Sequence, residues 1–198
     1  MKSHNKFNYI DNGPYNNSHG FPTIFFLYNS FSKVDFIETK QIYILSHKYR
    51  TICIDICNIN NNHHYNQSLI DLNEVANELI NIADTLNIKK FVICSEAETS
   101  PIALDVGAKH NERVCGIILI RACFDYQKKE EVKTLQRIVQ PVLLIYKEND
   151  NDFSTSISGE TYATIKYPRI IIIPSDDSQN DKSLINNAIK YWLSDYFC

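Results

Sequence analysis

Glycine is scarce in this chain, with 5 residues in 198 where average usage near 7% would give about 14. Asn, Ile, Lys and Tyr are abundant instead, a pattern that points to an AT-biased coding sequence and drains glycine from loops without functional meaning. Long hydrophobic runs are missing too. The longest, "CGIILI" and "RIIIIP", fall short of the roughly 18 apolar residues a membrane span needs, so no span is expected. The first residues, "MKSHNKFNYIDNGPYNNSHG", carry no apolar h-region, so no secretory signal is expected either. Basic residues form no face or run, and the net charge is −3, which argues against a nucleic-acid footprint. The 6 cysteines make no CxxC pair and have no histidine at zinc-ligand spacing. A cytoplasmic protein without metal or cofactor is the expectation.

What is present is a rhythm. Apolar strand-like runs at 22–28, 50–56, 89–94, 113–120, 140–146 and 168–174 alternate with helical patterns. Leu69, Leu72, Val75, Leu79, Ile82 and Leu86 recur three and four apart, which is one apolar helical face. Leu184, Ile185, Ala188, Ile189, Trp192 and Leu193 make a second such stripe over 182–197. Further helices are expected over 34–48, 101–110 and near 155–166. Strands so continuously apolar are covered on both faces, as in a parallel sheet between helices. The chain is therefore read as α/β, a three-layer doubly wound, mostly parallel sheet of about six strands. A polar N-terminal segment, 1–20, precedes a single domain, 21–198.

In such folds ligands meet the carboxyl ends of the strands. The strands deliver Tyr28, Asn29 and Ser30 from the first, and Asp55 and Cys57 from the second. The third brings Cys94, Ser95, Glu96 and Ala97, and the fourth Arg121, Cys123 and Asp125. "YKENDND" and "PSDDSQND" follow the last two. The cysteines that sit in apolar strands read as small buried hydrophobes. His63 and His64, in an Asn-rich stretch without carboxylates, read as a solvated loop.

The third strand leads into "FVICSEAETSPIAL" over 91–104, an apolar run that breaks sharply into a helical pattern. With "YRTICIDI", "ANELINIADTLNIKKFVIC", "NERVCGIILI" and "QPVLLIYKEND", the order and spacing resemble the α/β-hydrolase superfamily over nearly the whole chain. About 20 residues separate the fourth and fifth strands, so the resemblance implies a small member without a cap domain. It also implies a serine nucleophile on a strained elbow flanked by glycines, followed in the chain by an acid and a histidine base.

Register on both sides of the elbow places Ala97 at the nucleophile position, Asp150 at the acid position and Ser178 near the base position. Alanine carries no attacking group. No histidine follows His110 anywhere in the chain, so the base position is empty whatever the alignment. Tyr28-Asn29 stands where the resemblance expects His-Gly in the oxyanion loop. With the nucleophile gone, the elbow has no chemical reason to stay strained. Ser95 or Cys94 becomes a fallback nucleophile only if the turn comes earlier. Ser100-Pro101 reads as an N-cap followed by proline in the first helical turn.

Tyr28, Asn29, Ser30, Glu96, Glu98 and Asp177 are the expected pocket-lining residues. With Asp176, the three acids suggest a solvated rim that would favour a cationic ligand or basic partner. Two functions are open at this point. One is an inactive hydrolase-fold protein acting as a binding, regulatory or scaffolding module for a protein partner or small-molecule ligand, with a homo-oligomer among the options. The other is an unconventional serine or cysteine hydrolase of small esters or thioesters.

Overall fold

The structure is a computed structural model, and it describes residues 7–13, 20–29, 40–56, 71–122, 129–148, 163–174 and 178–197. Among the described residues seven strands form one sheet. They are β1 (Asn8–Asp11), β2 (Thr23–Tyr28), β3 (Thr51–Asp55), β4 (Phe91–Glu96), β5 (Val114–Ile120), β6 (Pro141–Lys147) and β7 (Tyr167–Ile173). The helices described with them are α1 (Lys40–Ser46), α2 (Leu72–Thr85), α3 (Ser100–Lys109), α4 (Lys129–Gln136) and α5 (Ser178–Phe197), with the end of a further one at 163–164. The strand order is β1-β3-β2-β4-β5-β6-β7, and every pairing is parallel except β1 with β3.

The alternation along each strand divides the core into two layers, because successive side chains leave a strand on opposite faces. On β4, Phe91 and Ile93 join one apolar cluster with Val75, Leu79 and Ile82 of α2 and Ile102 and Val106 of α3. Val92 and Cys94 join the other, with Leu45 of α1 and Ile189, Trp192 and Leu193 of α5. The middle strands are buried throughout for this reason. The helical stripes on α2 and α5 are the surfaces that cover them. Asp71 starts α2 by accepting the Asn73 N–H at 2.8 Å. No described helix is long and apolar enough to cross a membrane.

Three details depart from the sequence reading. The sheet has seven described strands where about six are expected, and the further one, β1, lies inside the polar 1–20 segment. Its residues are mostly exposed, so no apolar run marks it, and it is held by pairing along β3 and by Phe7, buried in the core. Helix α4 has no signal in the sequence: "KEEVKTLQ" buries only Leu135, too little to print a periodic stripe. Helix α5 begins at Ser178, earlier than its apolar stripe. Of the helix expected near 155–166 only the end is described, and the first part of the one expected over 34–48 also lies outside the described residues.

From β2 the chain crosses to β3 on one side, and β4 then takes the other side of β2. That reversal lies at the carboxyl ends of β2 and β4, the place where sheets of this kind meet their ligands. Leu27 lies beside Ser95 there, so Tyr28-Asn29 and Glu96-Ala97 face each other across the switch point.

Candidate functional site

At the end of β4 the chain turns in a very short distance. Glu96 is extended, at φ −131° and ψ 142°. Ala97 follows at φ +46°, Ala97–Thr99 form one 3-10 turn, and α3 starts at Ser100. The Ser100 N–H donates to the Ala97 carbonyl, and a proline in the first turn of α3 fixes the helical backbone after it. A non-glycine residue in the left-handed region costs roughly 1–2 kcal/mol. The expectation of a relaxed joint is therefore corrected: the strained elbow remains, with alanine at its apex. Backbone path rather than residue choice sets it, since β4 and α3 must pack on each other with only this turn between them.

Two contacts hold the strained apex. The Thr99 hydroxyl accepts from the Glu96 N–H at 3.0 Å and donates to the Glu96 carbonyl at 2.9 Å. Thr99 sits two residues past the apex, where the resemblance expects glycine. The carboxylate of Glu96 is paired with the guanidinium of Arg121, which follows β5. Arg121 is itself left-handed, at φ +50°, and its N–H donates to the Ile145 carbonyl of β6 at 2.8 Å. The Tyr146 hydroxyl reaches the Ala122 carbonyl at 3.4 Å. The ends of β4, β5 and β6 are thus tied around the joint. Ser100 is not the N-cap the sequence suggested. It is the first helical residue, and the cap residue is Thr99, whose hydroxyl is turned back to Glu96.

The fallback nucleophiles are placed below this turn. Cys94 points into the layer beneath α5 and is fully buried. Burial, reinforced by the charge of Glu96, pushes its thiol well above the usual range, so the reactive thiolate is disfavoured. Ser95 is buried on the α3 side, and its hydroxyl has no hydrogen-bond partner among the described residues. The hydroxyl of Ser100 is buried and unpartnered in the same sense.

Of the expected pocket residues, Tyr28 and Glu98 are half-buried and Asn29 is buried. Glu96, read from sequence as part of an acidic rim, has its charge met within the chain by Arg121. Ser30, Asp150 and Asp177 lie outside the described residues, as do Cys57, His63, His64, Cys123, Asp125 and Asp176. Ser178 is the first residue of α5. Thr99 was missed in the sequence, although a hydroxyl residue three places after an extended residue is a known signal for such a turn.

No protein-family model matches the chain, and no curated protein matches it. Solved structures do. Est1E from Butyrivibrio proteoclasticus superposes with a TM-score of 0.75 at 12% identity, covering 99% of this chain and 96% of that one. A thermophilic esterase from Thermogutta terrifontis gives 0.73 at 13% identity, covering 97% and 94%. MGS-MChE2, an α/β-hydrolase enzyme from the metagenome of lagoon sediments at Mar Chica, Morocco, gives 0.73 at 12% identity, covering 98% and 97%. The fold is α/β-hydrolase-like. Among the described residues it carries no cap domain.

Proposed function

We propose that the chain is a catalytically inactive protein of this fold, serving as a binding, regulatory or scaffolding module for a protein partner or a small-molecule ligand. The observation that carries the reading is Ala97, a methyl group at the left-handed apex where the fold's enzymes present a nucleophile. Three further facts support it. No histidine follows His110, so the base expected after the last strand is missing from the chain. Cys94 is held protonated by burial. Ser95 is 0% exposed, out of reach of an incoming carbonyl. Loss of one triad residue lowers turnover by about 10⁴-fold to 10⁶-fold, and here two positions are affected.

The joint keeps its left-handed apex while lacking a nucleophile. That combination suits a site that holds a ligand or presents a surface. The rival reading, an unconventional hydrolase of small esters or thioesters, has its fold in common with esterases and requires Ser95 or Cys94 to act. Hydrolysis of short p-nitrophenyl esters and thioesters by the purified chain separates the two. The module reading expects rates at the buffer background, unchanged by Ser95→Ala and Cys94→Ala. Turnover above background that either substitution abolishes would overturn it.

A further inference from the structure

Strand β7 is the outer edge of the sheet, pairing with β6 and with no other described strand. The Ile173 carbonyl accepts from the Glu148 N–H at 2.9 Å, which fixes how β7 is turned. In a parallel ladder a residue directs both its N–H and its C=O to the same neighbour, and the next residue directs both away. Ile173, Ile171 and Arg169 therefore bond towards β6, while Ile172, Ile170 and Pro168 face outwards. Pro168 is the confirming detail, because an edge tolerates proline only where its missing N–H points away from the sheet.

The side chains along this edge are unusually apolar. Of the six large hydrophobic residues exposed among those described, Tyr167 and Ile172 lie on β7 itself, and Tyr196 of α5 lies beside its Arg169. Ile172 is 50% exposed. The one charge on the strand, Arg169, is turned to Asp195 of α5 at 2.5 Å and lies over the Tyr196 ring. The opposite edge is built differently. β1 has only four residues, exposes Ile10 and ends at Asp11, which is paired with Arg50. Short charged edges resist pairing, and long apolar ones template it.

We infer that β7 pairs antiparallel with β7 of a second copy of this chain across a two-fold axis, joining two sheets into one. The strand's own sequence supplies the complement. Centred on Ile170, the pairing sets Ile170 opposite Ile170 of the second copy and Ile172 opposite its Pro168. Each outward N–H then meets an outward carbonyl: Ile170 with Ile170, and Ile172 with Pro168. The absent N–H of Pro168 falls at the rim, where only the Ile172 carbonyl goes without a strand partner. Ile170, Ile172 and Pro168 share one face of the strand, so apolar groups also meet across the axis. A closed two-fold pairing of one patch with itself is the commonest form of assembly, and this one is independent of whether the elbow is silent.

Light scattering on the eluting full chain, together with amide hydrogen exchange, tests the pairing. The native protein is expected at twice its 22.9 kDa chain mass, with the Ile170 and Ile172 amides as slow to exchange as that of Ile171. Ile172→Lys, which sets an ammonium against Pro168, is expected to halve the mass and to expose those two amides alone. Ile172→Pro removes an outward N–H at an exposed position and is expected to halve the mass and expose the Ile170 amide, with unchanged circular dichroism showing that the fold survives. A monomer over a wide concentration range, with Ile170 and Ile172 exchanging freely, would overturn the inference. So would a dimer that persists in both variants, or protection by a co-purifying foreign strand.

Discussion

Thr99 holds Glu96 from both sides of its peptide, accepting from the N–H at 3.0 Å and donating to the carbonyl at 2.9 Å. Between them lies Ala97 at φ +46°, so this small ring is what keeps the left-handed apex closed. Thr99→Val preserves shape and removes both bonds. It is expected to cost about 1–3 kcal/mol of unfolding free energy, the usual penalty for orphaning a buried backbone donor. Thr99→Ser keeps the hydroxyl and should recover most of that loss in urea denaturation. Equal destabilisation by both would show that the methyl group, and not the hydroxyl, matters.

The apex itself should respond to the removal of a side chain. Ala97→Gly relieves a left-handed alanine, and about 1 kcal/mol of stabilisation is expected after the added freedom of the unfolded chain is subtracted. For a domain of this size that is a rise of about 2–4 °C in Tm. Ala97→Val should move Tm the other way. A fall in Tm for Ala97→Gly contradicts a strained joint.

A close approach on the opposite face gives a third test. A β-carbon at Gly116 would lie 2.8 Å from Cη2 of Trp192 and 3.0 Å from Cζ of Phe197. Gly116→Ala therefore forces α5 away from β5, at an expected cost of about 1–3 kcal/mol. Trp192 is the chain's one tryptophan and is fully buried, so its emission should shift to the red as water gains access. An unchanged spectrum would mean that α5 packs elsewhere.

These positions also show what could be read from the residues alone. The middle strands and the faces of α2 and α5 were legible because burial on one or two sides prints a period or an unbroken apolar run. β1 and α4 were not, since each buries too little to leave a pattern. The elbow's location followed from "FVI" before it and "IAL" after it, yet its strain did not. Alanine is a poor left-handed residue, and its φ is dictated by how β4 and α3 meet. The pairing of Glu96 with Arg121 joins residues from two strands, and only the β4–β5 register, with Glu96 beside Ile120, brings them together.

Alkaline pH should find the buried thiols. Burial pushes Cys53 up to about 12 from its ordinary 9.0 and Cys115 up to about 11. Below pH 9 these thiols are protonated in both folded and unfolded chains and stability does not depend on them. Above it the unfolded chain loses their protons first, so stability should fall as pH climbs from 9 towards 12. Replacing Cys53 with Ala or Val should flatten that slope in denaturation series at fixed ionic strength. An unaltered slope assigns the loss to other groups.

The silent elbow is tested most directly by intact-mass spectrometry after incubation with a fluorophosphonate. The native chain is expected to keep its unmodified mass. Ala97→Ser, which restores a hydroxyl at the apex but no histidine, is expected to show at most slow, stoichiometric labelling without turnover. Rapid labelling of the native chain that disappears in Ser95→Ala would contradict the account, because it would place a working nucleophile beneath a joint whose apex is alanine.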